Sequence, residues 1–165
     1  MVIKLGSLGD VLQADGALRD IRAAFPEAEI VALTMPAYRK LMERSPFVDR
    51  VLLDPRKPRW RLDAMADLRG QLRRERFDLV IDLQGQSRTN SYFRWFLSDV
   101  PWSGTAPGCR YYDARPNPRE LPSLERMAGQ LAQMGIETWH AKNPDVDWMA
   151  EPIDDVIEEA GLTSP

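Results

Sequence analysis

Two glycines and an aspartate near the start of the chain offer the first chemistry: Gly6-Ser7-Leu8-Gly9-Asp10, entered from the apolar run Val2-Ile3-Lys4-Leu5. Behind them Val11, Ala14, Leu18, Ile21 and Phe25 recur at spacings of three and four, which is one face of a helix. The stretch reads as strand, tight glycine loop, helix. In an open parallel sheet such a loop lies at the carboxyl end of its strand, where ligands bind. Gly6 and Gly9 allow backbone angles and close approaches that a Cβ forbids. The spacing is neither the dinucleotide fingerprint nor a Walker loop. A helix start with free N–H groups can still hold an anion. Asp10 stands at the mouth of this site with two readings open. It is a helix N-cap, with Gln13 three residues on completing a capping-box-like pair, or a carboxylate available for chemistry. The two are compatible, because a cap leaves one oxygen free.

Three further clusters carry polar chemistry. Gln84-Gly85-Gln86-Ser87-Arg88 follows an apolar strand-like run. In doubly wound sheets the first and fourth strands are neighbours and the strand order reverses there. That places Asp10, Ser7, Gln84 and Arg88 around one crevice. The plainer reading has Gln84 and Ser87 capping the next helix and Arg88 in solvent. Arg56-Lys57-Pro58-Arg59-Trp60-Arg61 puts four cations within six residues. Guanidinium forks there match phosphates or sugar carboxylates; a solvated charge run is the alternative. Arg69, Arg73, Arg74 and Arg76 extend the positive strip, suited to an anionic membrane surface. Asp63, Asp67 and Glu75 are interleaved, and i,i+4 pairing is the plainer account. Arg110, Tyr111, Tyr112, Asp113, Arg115 and Arg119 sit in a long stretch over residues 106–119 and either contact sugars or pack the loop. The aromatic stripe Tyr92, Phe93, Trp95 and Phe96 reads as core. A single cysteine, Cys109, excludes a disulfide framework and a cysteine metal cluster. His140, the one histidine, reads as structural or surface. No metal or cofactor is expected.

The elements that must position these groups emerge from periodicity. Strands are expected at residues 2–5, 29–33, 48–53, 79–83 and 102–105. Helices are expected at 11–24, briefly after Pro36, at 62–74, 88–97 and 124–134, with Gly135 as a stop. Strands alternating with helices imply an α/β fold, a Rossmann-like open parallel sheet with helices on both faces. The length of 165 residues suits one domain. Residues 1–141 form it, and 142–165 read as a linker with a short terminal helix over 153–160. Composition is that of a soluble globular protein, 44% hydrophobic and 28% charged. A net charge of −3 does not suggest nucleic acid. No apolar run approaches the ~20 residues of a membrane span, and no signal peptide is visible. The cytoplasm is the expected compartment.

The run Ile3-Lys4-Leu5-Gly6-Ser7-Leu8-Gly9-Asp10 resembles the N-terminal signature of the glycosyltransferase family nine heptosyltransferases. Phe25-Pro26-Glu27-Ala28-Glu29-Ile30, then Phe77-Asp78-Leu79-Val80-Ile81-Asp82-Leu83-Gln84-Gly85, then Trp102-Ser103-Gly104-Thr105-Ala106-Pro107-Gly108 agree in order and spacing. The resemblance implies one half of a GT-B architecture, the acceptor-side domain, with the C-terminal nucleotide-sugar domain absent. It implies inverting transfer of heptose from an ADP-heptose type donor to the lipopolysaccharide inner core. Asp10 matches the family's base, and Lys4 matches a position near the active site. Ser7, Gly9, Gln13, Arg56, Arg59, Gln84 and Arg88 are the expected substrate-binding residues. The implied partners are the nucleotide-activated heptose, held mainly by the second domain, and a lipid-linked acidic sugar acceptor. Peripheral contact with the inner membrane and a dimer through the exposed interdomain face are also expected. The isolated chain is expected to fold without activity. Many relatives carry histidine where Pro122 and Gln13 stand here. The reading from a different class is a stand-alone, non-catalytic module that binds an anionic sugar or lipid headgroup. A phospho-acceptor signalling domain fits less well, because no acidic pair follows the first strand.

Overall fold

The computed structural model describes residues 1–116 and 120–149. Arg119 and the helix expected over 153–160 lie outside the described residues. Six strands form one all-parallel sheet: β1 Val2–Ile3, β2 Val31–Thr34, β3 Arg50–Leu53, β4 Val80–Asp82, β5 Trp102–Gly104 and β6 Tyr111–Tyr112. Their order is β3-β2-β1-β4-β5-β6. The order reverses beside β1, which pairs with both β2 and β4. The helices are α1 Leu8–Gln13, α2 Asp15–Ala24, α3 Arg39–Glu43, α4 Leu62–Arg74, α5 Ser87–Phe96 and α6 Ser123–Gln133.

Two apolar cores, one on each face of the sheet, arise from the strands' alternation. Val2, Ala32, Ile81 and Leu83 meet Val11, Leu18, Ile21, Met42, Met127 and Leu131 from α1, α2, α3 and α6. Ile3, Val31, Leu33, Val80 and Trp102 meet Met65, Leu68 and Leu72 of α4 and Tyr92, Phe93 and Phe96 of α5. The aromatic stripe is therefore mostly core, as its spacing suggests. Trp95 departs from it and is 52% exposed. Gly135 ends the last long helix with a φ of +78°, a conformation that disfavours side chains.

Three expectations change. Residues 106–119 are not all loop: Tyr111 and Tyr112 add an edge strand beside β5, and the Asp113 N–H continues the pairing to Gly104 O at 2.8 Å. Two paired residues leave no periodicity to detect. The first helix starts earlier and breaks at Ala14, because its cap is Ser7, whose carbonyl accepts the Val11 N–H at 3.0 Å. Residues 142–149, expected as the start of a linker, are docked on α2. Asp15 accepts from Asp145 N–H at 3.0 Å and from the Trp148 indole at 2.8 Å. Asp20 accepts both the His140 and Ala141 N–H groups, and His140 Nδ1 lies 2.7 Å away. His140 is thus a structural tie, as its setting suggested. Cys109 is buried beside the Gly104 carbonyl, and burial pushes its thiol pKa up.

Candidate functional site

The candidate residues gather at the carboxyl ends of three strands that lie side by side or one strand apart. Lys4, Ser7, Gly9, Asp10 and Gln13 come after β1; Gln84 and Arg88 come after β4; Arg56 and Arg59 come after β3. Ser7 takes the extended backbone of an N-cap. Its N–H and its hydroxyl both donate to Asp10 Oδ2, each at 3.1 Å. Asp10 is therefore the reciprocal partner in the capping box rather than the cap, and Gln13 lies at the end of α1. The other carboxylate oxygen of Asp10 has no hydrogen-bond partner among the described residues. One oxygen is fixed and one is free.

The two glycines serve different ends, and neither has a left-handed backbone. A Cβ at Gly6 would stand 2.4 Å from Asp10 Oδ2 and 2.5 Å from Asp10 Cβ, so Gly6 is what lets the carboxylate fold back on the loop. A Cβ at Gly9 would meet nothing within 4 Å, and Gly9 is exposed. The space before it is open.

Gln84 joins the two central loops. Its Oε1 accepts the Leu5 N–H at 2.9 Å, which holds the β4 loop against the end of β1. It is not a cap of α5; Gln86 is, with its N–H donating to Thr89 Oγ1 at 3.1 Å. Gly85 makes the turn with a φ of +59°.

Lys4 is 2% exposed, a rare place for a lysine. Its ammonium reaches the Leu83 carbonyl at 3.5 Å and Met127 Sδ at 3.9 Å. Burial pushes its pKa down to about 8; Arg126 adds to the fall, while Asp10 and Asp82 oppose it. Asp82, the last residue of β4, is fully buried. Its Oδ1 accepts the Gln84 and Gly85 N–H groups at 3.0 and 3.1 Å, and its Oδ2 has no hydrogen-bond partner among the described residues. Burial pushes its pKa up to about 6, against the nearby Thr89 hydroxyl, the two loop N–H groups and the charge of Lys4. Sequence reading missed Asp82 and Arg126. A charge closing an otherwise apolar strand was the available signal for Asp82.

The basic cluster is only partly free. Asp54, 1% exposed, takes the Arg88 guanidinium through two bonds, Nε at 3.1 Å and Nη2 at 3.0 Å. It also accepts the Tyr92 hydroxyl and, at 2.7 Å, the Arg56 N–H. Arg88 Nη1 holds the Lys57 carbonyl at 2.9 Å. Arg88, expected beside Asp10, is thus engaged by Asp54, because a buried carboxylate demands a matched donor. It ties the β3 loop to α5. Arg56 contacts Met35 Sδ and Arg59 the Ser87 carbonyl, and neither side chain is ion-paired among the described residues. Arg73 on α4 pairs with Asp99, Glu75 just after it pairs with Arg50, and Asp63 pairs with Arg61, so none of these ion pairs has the expected i,i+4 spacing. In the later cluster Asp113 and Arg115 pair, and Arg115 also donates to the Glu125 and Arg126 carbonyls, which packs that stretch on α6.

The arrangement offers a half-held carboxylate and a buried cation that feel each other's charge, both at the carboxyl end of β1, where the strand order reverses. Solved glycosyltransferase structures share this fold. A family 9 glycosyl transferase from Veillonella parvula matches with a TM-score of 0.69 at 23% identity, over 82% of this chain and 40% of that one. Heptosyltransferase WaaC of E. coli, with ADP-2-deoxy-2-fluoro heptose, gives 0.64 and 20%, over 89% of this chain and 51% of that one. The E. coli ADP-heptose lps heptosyltransferase II gives 0.66 and 16%, over 99% and 50%. No family model and no curated protein matches the chain. The chain has the fold of these glycosyltransferases and spans about half of their length or less.

Proposed function

We propose that this chain is the acceptor-side half of an inverting glycosyltransferase that moves heptose from an ADP-heptose type donor to the inner core of lipopolysaccharide. The observation that carries the reading is Asp10, one oxygen held by Ser7, the other without a hydrogen-bond partner among the described residues, and its charge felt by the buried Lys4. In the reaction, the free oxygen of Asp10 takes the proton of the acceptor hydroxyl as that oxygen attacks the anomeric carbon. The bond from that carbon to the diphosphate oxygen breaks, the configuration inverts, and the nucleoside diphosphate leaves with the electron pair. Lys4 and Arg126 lend positive potential to the crevice. Arg56 and Arg59 take the acceptor's phosphate or carboxylate groups, and Arg88 positions their loop. Gly9 leaves room for the sugar, with Gln13 and Gln84 at its edges. The ADP and ADP-heptose analogue in the WaaC structures support the donor class. A second domain holds most of the donor, and the chain alone binds acceptor without transferring. The setting is the cytoplasmic face of the inner membrane. No helix among the described residues is long and apolar enough to cross a membrane.

The second reading, a non-catalytic module for an anionic sugar, draws on the unpaired Arg56 and Arg59. Calorimetry with a deacylated, phosphorylated acidic core sugar, followed by a transfer assay with a donor-binding half supplied in trans, separates the two. The proposal expects Asp10→Asn to keep acceptor affinity and to lower transfer by roughly 10²–10⁴-fold. Transfer undiminished in that variant overturns the role of Asp10; affinity without any transfer favours the module.

A further inference from the structure

We infer that a cavity at the amino end of the sheet binds a small organic cation with an apolar body, of the arylalkyl ammonium class. The cavity has a volume of about 470 Å3, within the roughly 300–1,000 Å3 of small-molecule sites. It lies where β1, β2 and β4 begin and where α2 and α4 end. That is the opposite end of the sheet from Asp10. Most of residues 25–30 and all of 77–79 line it. Both belong to stretches that carry the family resemblance, and the transfer chemistry uses neither.

The walls are apolar. Phe25, Phe77 and Leu79 line the cavity with the buried Ile21, Ile30 and Ile81. The first three are only half-buried, so a ligand that covers them removes apolar surface from water. Arg76 has a left-handed backbone, φ +52°, which turns the chain out of α4 and into the wall at Phe77. The rim is acidic. Glu27, Glu29, Glu75 and Asp78 stand there against Arg76 and the Met1 amine. Arg50 bridges Glu29 and Glu75, at 2.9 and 3.0 Å, and so fixes one side of the rim. Glu27 and Asp78 make no hydrogen bond or ion pair among the described residues. The Met1 amine donates to the Leu79 carbonyl at 2.7 Å, and burial pushes its pKa down to about 6. At neutral pH it is mostly uncharged, and the rim is net negative. The negative ends of two helix dipoles, those of α2 and α4, add to this. An ammonium group finds carboxylates at the rim, while its apolar body lies on Phe25 and Phe77. Charge complementarity therefore selects a cation over its neutral or anionic isostere. The inference does not rest on the transferase reading.

The probes are phenylbutylamine, phenylbutanol and phenylbutyrate, which share one apolar body and differ in charge. Each is titrated at neutral pH into the isotope-labelled 165-residue chain, with backbone amide shifts as the readout. The amine should give saturable shifts at Ala28, Glu29, Ile30, Phe77, Asp78 and Leu79, and none at the Asp10 loop. The alcohol should bind roughly tenfold more weakly, and the carboxylate should not saturate. Glu27→Gln combined with Asp78→Asn removes two carboxylates that hold nothing in the fold. It should weaken the amine roughly tenfold and leave the alcohol unchanged. Circular dichroism checks that the double variant is folded. Absence of saturable shifts at the cavity overturns the inference. Equal binding of amine and alcohol, or undiminished amine affinity in the double variant, also overturns it.

Discussion

At the scale of single residues, Gly6 is held by packing and Gly9 borders open space. Gly6→Ala drives a Cβ into Asp10 and should cost about 1–3 kcal/mol, along with acceptor binding. Gly9→Ala meets no atom, sits in a helix and should leave stability equal or raise it by up to ~1 kcal/mol. If the open space at Gly9 belongs to the acceptor, affinity falls in a variant whose melting temperature does not. Calorimetry on a stable Gly9→Ala with unchanged affinity would remove Gly9 from the site. Asp82 and Lys4 leave their mark on pH dependence. With its pKa raised to about 6, folded Asp82 keeps a proton that the unfolded chain sheds from about pH 4. Stability therefore falls as pH rises between these values, by about 2–3 kcal/mol. Lys4, lowered to about 8 from 10.5, works in the other direction at high pH. The folded state gives up its proton first, so stability rises from about pH 8 toward 10.5. Denaturant titrations of Asp82→Asn should lack the acid-side fall, and an unchanged profile would mean that Asp82 is ionised throughout. That Asp10 engages the first helical turn and leaves one oxygen over was legible from its glycine context. The roles of Ser7 as cap and Gln84 as stitch were not, because each depends on which way a short polar side chain turns.

At the scale of elements, buried aspartates fasten loops to helices. Asp54 holds Arg88, Tyr92 and the backbone of Arg56, and so decides where the basic loop lies. Asp54→Ala leaves a half-buried guanidinium and a buried hydroxyl without their acceptor. It should cost about 3–5 kcal/mol in denaturant unfolding. It should also weaken acceptor binding, although Asp54 itself is too buried to touch a ligand. A small stability loss with full binding would show that the loop holds its place without the pair. Strand and helix positions were readable within a few residues, since apolar periodicity reports the two cores directly. The ties were not readable. Asp54 and Arg88 are 34 positions apart, and only the folded sheet brings them together.

At the scale of the whole molecule, the parallel sheet and its reversal beside β1 were legible from the alternation of strands and helices. The path of the chain beyond α6 was not. Residues expected to leave the domain instead return over α2, held by Asp15 and Asp20 across more than a hundred positions of sequence. Asp20→Ala removes the acceptor of the His140 and Ala141 N–H groups and should cost about 1–3 kcal/mol. Hydrogen exchange at those two amides should accelerate, while exchange in β1 and β4 keeps pace only with the global loss. The central claim is that the crevice at the end of β1 receives the acceptor sugar. It is tested most directly by titrating a deacylated, phosphorylated acidic core sugar into the isotope-labelled chain and monitoring backbone amide shifts. Saturable shifts are expected at Leu5, Gly6, Ser7, Gly9 and Asp10, joined by Gln84 and Gly85. Shifts confined to the loop around Arg56 and Arg59, with the Asp10 loop unmoved, would contradict the claim.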